Sequence, residues 1–267
     1  MKQIKDKVVV ITGAGSGIGR ALAQDFAKRG AKLALNDFKE DTLLETIASL
    51  APSTPVFYAV FDVSNEQLMQ AFAKDVAQEY HQIDIVINNA GVAQDGLMAS
   101  EISTEDYKWL LGINMWGTIY GSKAFLPYLR QQKESSLVNI SSIFGLIGIP
   151  GVSSYCVSKF AVRGFSEAVL LEEEINKTGV AVSCVHPGGI KTNIAKSARG
   201  AENGQLAEFE KALKTPPKVA AKVIIKGIQK KKSRILIGTD AYLVYYLNKF
   251  GRRLLQKAII YTYKKKR

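Results

Sequence analysis

Cysteine and histidine are almost missing from this 267-residue chain, which has two of each. Cys156 and Cys184 each sit in an apolar run, and two thiols cannot frame a disulfide scaffold or complete a zinc ribbon. They read as small buried hydrophobes in a reducing compartment, so the expected location is cytoplasmic. His81 and His186 stand far apart with no HExxH spacing, so no metal site is expected. No window reaches the ~18 consecutive apolar residues of a spanning helix. The opening MKQIKDKVVV lacks the apolar stretch of a secretory signal. Linkers, internal repeats and low-complexity blocks are absent as well.

What is present is ordinary globular composition, 47% hydrophobic and 22% charged, which excludes a disordered chain. The charge is unevenly placed. Residues 1–210 carry 19 Lys/Arg against 23 Asp/Glu, whereas residues 211–267 carry 17 against a single acid, Asp240. A mildly acidic body with a strongly basic tail points to an acidic partner or to a merely solvated surface.

Short apolar runs at 8–12, 32–36, 56–61, 83–88, 136–141, 180–185 and 234–237 alternate with amphipathic stretches at 18–29, 65–80, 104–130 and 154–177. The runs are continuously apolar, as strands buried on both faces are. Strand–helix alternation predicts an α/β fold, a three-layer doubly wound parallel sheet of about seven strands. Pro216-Pro217 suits the start of a late helix. Residues 1–238 are expected to form one dinucleotide-binding and catalytic domain, and 239–267 a basic amphipathic extension.

In such a sheet ligands bind beyond the carboxyl ends of the strands, so the residues there matter most. After the first run comes Thr12-Gly13-Ala14-Gly15-Ser16-Gly17-Ile18-Gly19, opening into a helix. Glycines let backbone approach a pyrophosphate, and free N–H groups at a helix start favour its charge. Asp37, 18 residues past Gly19, is placed to accept from an adenosine ribose and to repel a 2′-phosphate, favouring NAD over NADP. A turn or helix-cap role is the alternative for Asp37. Asp62-Val63 after the third run has two roles open, capping the next helix and holding adenine, and the two can coexist. In Asn88-Asn89-Ala90-Gly91, the amides can bridge strands and the small residues leave room for a cofactor.

Tyr155 and Lys159 stand four apart on an expected helix and share a face. Ser142 lies 13 residues before Tyr155, at a strand end, and Asn114 falls inside the long helix before it. TGAGSGIG at 12–19, NNAG at 88–91, Asn114, Ser142, YCVSK at 155–159 and HPGGIKT at 186–192 together make the chain resemble the short-chain dehydrogenase/reductase family, single-domain type.

The resemblance implies hydride transfer between a carbinol and a nicotinamide. It makes Tyr155 the acid/base, Lys159 the ammonium that tunes it and holds the nicotinamide ribose, Ser142 a donor to the substrate oxygen, and Asn114 the holder of a relay water. Pro187, Gly188, Ile190 and Thr192 resemble the segment that holds the nicotinamide. Ser141 is the runner-up for the serine role. His186 reads as structural. The long helices imply a homodimer or homotetramer. The competing class is a non-catalytic dinucleotide-binding sensor, which has no physical need for Asn114, Ser142, Tyr155 and Lys159 together.

The apolar segment 143–152, with 92–98 and 190–214, is expected to wall a pocket for a small apolar alcohol or ketone, although the same residues could fill the core. Gly200 and Gly204 would hinge 190–214 as a lid. In the tail, Leu243, Leu247, Phe250, Leu254, Ala258 and Tyr261 step by three or four, with Lys249, Arg252, Arg253 and Lys257 on another face and Lys264-Lys265-Lys266-Arg267 at the end. Such a helix suits peripheral contact with an anionic membrane, or packing on its own domain or a partner subunit. No nucleic-acid recognition motif accompanies the charge, so no nucleic-acid partner is expected.

Overall fold

The computed structural model describes residues 3–94, 96–192, 194, 198–199 and 213–264. Most of the expected lid, including Gly200 and Gly204, and the chain end 265–267 lie outside these residues. Seven strands form one parallel sheet: β1 Val8–Thr12, β2 Lys32–Asp37, β3 Val56–Val60, β4 Ile85–Asn88, β5 Ser135–Ile140, β6 Val180–Pro187 and β7 Arg234–Ile237. Their order is β3-β2-β1-β4-β5-β6-β7, with every pair parallel. The doubly wound fold read from the sequence is therefore the one adopted.

The helices are α1 Gly17–Lys28, α2 Glu40–Ala48, α3 Glu66–Tyr80, α4 Thr104–Leu111, α5 Gly117–Leu129, α6 Ser153–Ile175, α7 Pro217–Gln229, α8 Thr239–Phe250 and α9 Arg252–Lys264. Strand side chains alternate between the two helical layers because their period is two. Val9 and Ile11, with Leu33, Leu35, Ile85 and Ile87, pack against α1 and α7. Val8 and Val10, with Ala34 and Val86, pack against α3 and α5. This double burial explains the unbroken apolar runs of the central strands. β3 departs from that expectation: it is an edge strand, and Tyr58 and Val60 are exposed. The strand order reverses between β1 and β4, which opens a crevice at their carboxyl ends.

Two helices differ from the sequence reading. The continuous helix expected over 104–130 is interrupted by a π-helical turn, Gly112–Trp116. Asn114 inside it is tied to Val92, and Gly117 lies so close to Val63 that an added Cβ would come within 2.6 Å of it. Tertiary contacts hold the wide turn where periodicity alone continues a helix. The tail is likewise two helices, broken at Gly251 (φ −139°, ψ 38°). Both cysteines are free and buried.

Candidate active site

The loop between β1 and α1 is shaped by its glycines. Gly13 and Gly17 have φ of +64° and +53°, a region that side chains with a Cβ rarely occupy. A Cβ on Gly19 would collide with the Gly13 carbonyl. Ser16 caps α1 without a side-chain hydrogen bond, and the first turn holds no acid. The helix therefore presents N–H groups with nothing repelling an anion. Thr192 lies against this start, since a Cβ on Gly17 would come within 3.0 Å of its methyl.

Neighbouring strand ends hold the loop in place. Asp37, at the end of β2, accepts from Gly15 N–H at 2.8 Å and from Lys39 N–H at 3.0 Å. Asn89 donates to the carbonyls of Thr12 and Gly13 at 2.9 and 3.0 Å. The Thr12 hydroxyl accepts from the backbone N–H groups of Asn89 and Ala90 at 3.0 and 3.1 Å. Arg20 reaches back to the Gly15 carbonyl, Thr42, Thr46 and Glu45. Asp62 accepts from Ser64 N–H at 2.9 Å and closes a turn, while Asn65 caps α3. The helix-capping role for Asp62 therefore fails, because Asn65 already receives the Leu68 N–H. Val63 is buried against the π turn.

Asn88 links β4 to its neighbours, donating to Ser122 at 3.0 Å and to Asn139 at 2.8 Å. Asn114 is fully buried. Its carbonyl oxygen accepts from Val92 N–H at 2.8 Å, and its amide donates to the Val92 carbonyl and to Ser158. Its side chain thus fixes the backbone next to Gly91, where an added Cβ would stand 3.2 Å from Asn114 Oδ1 and 3.4 Å from Lys159 Nζ.

Tyr155 and Lys159 project from the first turns of α6. Ser142 lies beside the Tyr155 hydroxyl and draws its pKa down, and Phe144 meets the Tyr155 ring edge-on at 6.1 Å. Lys159 Nζ lies 5.5 Å from the centre of that ring and donates to the Ile140 carbonyl at 3.0 Å. Ser141 donates to the Lys159 carbonyl at 2.8 Å and thereby anchors α6, so Ser142 is the serine beside the phenol. Burial pushes Tyr155 up to about 12, against the opposing pull of Ser142. Burial pushes Lys159 down to about 8. The direction at Tyr155 is opposite to the tuning that the resemblance implies, because desolvation outweighs the pull of Ser142.

His186 and Asp240 support this edge of the sheet. Burial lowers His186 to about 4, so the ring is neutral near pH 7. Its Nδ1 lies 3.0 Å from the Ser142 carbonyl and must be the protonated nitrogen to donate there. Nε2 is buried with no partner among the described residues. Asp240 accepts from Gly189 N–H at 2.7 Å and closes on Gly188, fixing the turn after Pro187. Ile190 is buried and bridges to Thr215. Sequence reasoning missed the supporting roles of Thr12, Arg20, Ser158 and Asp240. Only Asp240 carried a signal, as the lone acid in a basic tail.

The pocket wall expected from 143–152 divides in two. Leu146 and Ile147 are buried and belong to the core, as the competing reading allowed. Phe144 stays beside Tyr155, and Leu97 bridges to Val152.

A crevice at the strand switch point, a glycine cradle with free helix N–H groups, and a Tyr–Ser–Lys cluster beside it define a dinucleotide-binding oxidoreductase. Residues 7–203 match the short chain dehydrogenase family model, and the chain belongs to that family. It is 40% identical over 250 residues to the SadH protein of Mycobacterium tuberculosis, covering 91% of this chain and 90% of the other. A short-chain dehydrogenase/reductase from Burkholderia phymatum, solved in complex with NAD, superposes with a TM-score of 0.87 at 28% identity, covering 96% of this chain and 97% of that one. An alcohol dehydrogenase from Thermococcus sibiricus, complexed with 5-hydroxy-NADP, gives 0.74 at 26% identity, covering 87% and 96%.

Proposed function

We propose that this protein is an NAD-dependent dehydrogenase/reductase acting on an apolar secondary alcohol or ketone, with Tyr155 as general acid/base. The observation that carries the reading is the Tyr155 ring with Ser142 beside its hydroxyl and the buried Lys159 Nζ 5.5 Å from the ring centre. A phenol held protonated is the form that gives a proton to a carbonyl oxygen. Ser142 polarises that oxygen, and His186 steadies Ser142 through its carbonyl. Lys159 stays charged near neutral pH and favours the phenolate when a proton must return. Asn114 holds the wall next to Gly91 and the end of any proton relay through Lys159. When bound, the dinucleotide supplies the hydride donor or acceptor.

The cradle fits that group: Gly13, Gly17 and Gly19 leave room, while Ser16 and Ile18 stand at the helix start for the pyrophosphate. Asp62 and Val63 suit the adenine, and Asn89, Ala90, Gly91, Pro187, Gly188, Ile190 and Thr192 the nicotinamide half. Asp37 favours NAD. Its carboxylate sits against the loop where a 2′-phosphate would crowd it, and the Arg20 guanidinium is already held by Glu45, Thr42 and Thr46. NADH should support turnover with a higher kcat/KM than NADPH. Asp37→Ser should shrink that preference about tenfold, a change of ~1.4 kcal/mol. A wild-type preference for NADPH would contradict the assignment.

Phe144 beside Tyr155 favours an apolar substrate over a polyol, and turnover across aliphatic, cyclic and polyol alcohols tests that. The exposed Trp116, Val157, Leu171 and Ile175, on the π turn and α6, favour a homodimer through these elements, read by light scattering.

A further inference from the structure

Helix α8 turns two different faces outward and inward. Ala241 is buried, Asn248 donates to the Leu146 carbonyl at 3.0 Å, and Tyr245 takes the Arg234 guanidinium at 2.9 Å. Tyr242, Leu243, Tyr246 and Phe250 lie on the opposite side and are exposed, with Phe250 77% open and stacked on Tyr246. In α9, Leu255 and Ile259 turn inward and, with Leu146, Ile147 and Phe160, line a cavity of about 210 Å³. Leu254 and Tyr261 face away from it, 66% and 71% exposed. The two helices thus use one side to dock on the body and leave a second apolar side uncovered.

Cations frame that uncovered side. Lys249, Arg253 and Lys257 are exposed and form no ion pair among the described residues, whereas Arg252 lines the cavity on the docked side. From Ala241 to the chain end the sequence holds no Asp or Glu. We infer that the α8–α9 surface docks on an anionic phospholipid bilayer. Phe250, Leu254, Tyr242, Tyr246 and Tyr261 enter the interfacial region, where an aromatic body and a polar tip are both accommodated, and the cations meet the lipid phosphates. A second copy of this chain is the weaker occupant. A twofold contact would press this cationic surface on its own image with no acid to offset it. A polyanion such as nucleic acid would answer the charge but leave the apolar side bare.

Docking also has a direct structural route to the catalytic region. Tyr263 donates to the Pro150 carbonyl at 3.1 Å, and Asn248 holds Leu146, so α8 and α9 grip the segment that follows Ser142 at two points. The inference stands on exposure and charge alone and does not depend on the substrate reading above.

The test is co-sedimentation of the full chain with vesicles of phosphatidylcholine, and of phosphatidylcholine mixed with phosphatidylserine, at low and high salt. Binding to the phosphatidylserine vesicles at low salt is expected, with little to the neutral ones and weakening as salt rises. Replacing Lys249, Arg253 and Lys257 with Gln should weaken binding about a hundredfold. The triple change Phe250→Ser, Leu254→Ser, Tyr261→Ser should weaken it at least about tenfold while NADH turnover of a water-soluble ketone persists. Four results would each overturn the inference: no binding at low salt, equal binding to neutral vesicles, unchanged binding in either variant, or a wild-type oligomer that dissociates on the triple change. The vesicle readout needs no turnover, so its failure is distinct from failure of the proposed activity.

Discussion

The crevice at the ends of β1, β4, β5 and β6 and the α8–α9 pair follow opposite rules. In the crevice, polar groups look inward. Thr12, Asp37, Asn88, Asn89, Asn114, Ser141 and Asp240 all hold backbone or buried partners. In the tail, apolar and cationic side chains look outward and few have partners. The contrast teaches where precision resides. A buried and largely partnered network fixes atoms to the tolerance that the proposed proton transfer needs, whereas an open amphipathic surface needs only composition and a helical period.

Breaking the network should therefore cost far more than altering the surface. Tyr155→Phe removes the proton without changing the ring, and kcat/KM should fall about 10²–10⁴-fold with the fold intact by circular dichroism. The next effect is a pH dependence. His186 has a folded value of about 4 against an ordinary 6.5. The unfolded chain binds that proton first, so stability is full above pH 6.5 and is lost as pH falls toward 4, by about 3 kcal/mol in all. Denaturant midpoints measured across that range should fall less steeply in His186→Gln. An equal slope in both proteins would place the acid sensitivity elsewhere. Thr12→Val strands the N–H groups of Asn89 and Ala90 and should cost about 2 kcal/mol of stability, together with weaker NADH binding by fluorescence titration. Phe250→Ser, at the open surface, should change stability by no more than ~0.5 kcal/mol. A loss as large as that of Thr12→Val would show that the tail is part of the core and erase the contrast.

The same difference explains how much was legible in the sequence. β1 was readable to the residue, 8–12, because double burial writes an unbroken apolar run bounded by turns, and β7, 234–237, was equally readable although it is an edge strand buried on one face. The other strands shifted by one or two residues at their ends, where pairing with a neighbour decides the boundary. The glycine loop, Asp37 and the Tyr155–Lys159 spacing are local patterns and could be placed from the chain alone. The π turn could not, since it depends on Asn114 meeting Val92, 22 residues away, and on Gly117 meeting Val63. His186 under Ser142 and Asp240 on Gly189 are equally remote pairings, 44 and 51 residues apart, that no periodicity records. The break at Gly251 was hidden because the three-to-four spacing of apolar residues continues across it.

Hydride transfer itself is most directly tested with NADH carrying deuterium at the transferable position, mixed with the protein and a panel of apolar ketones. One deuterium on the carbinol carbon of the product alcohol is expected, appearing at least about a hundredfold more slowly in Tyr155→Phe. Tight NADH binding with no deuterium in any alcohol across a broad panel would contradict it and leave a dinucleotide sensor in its place.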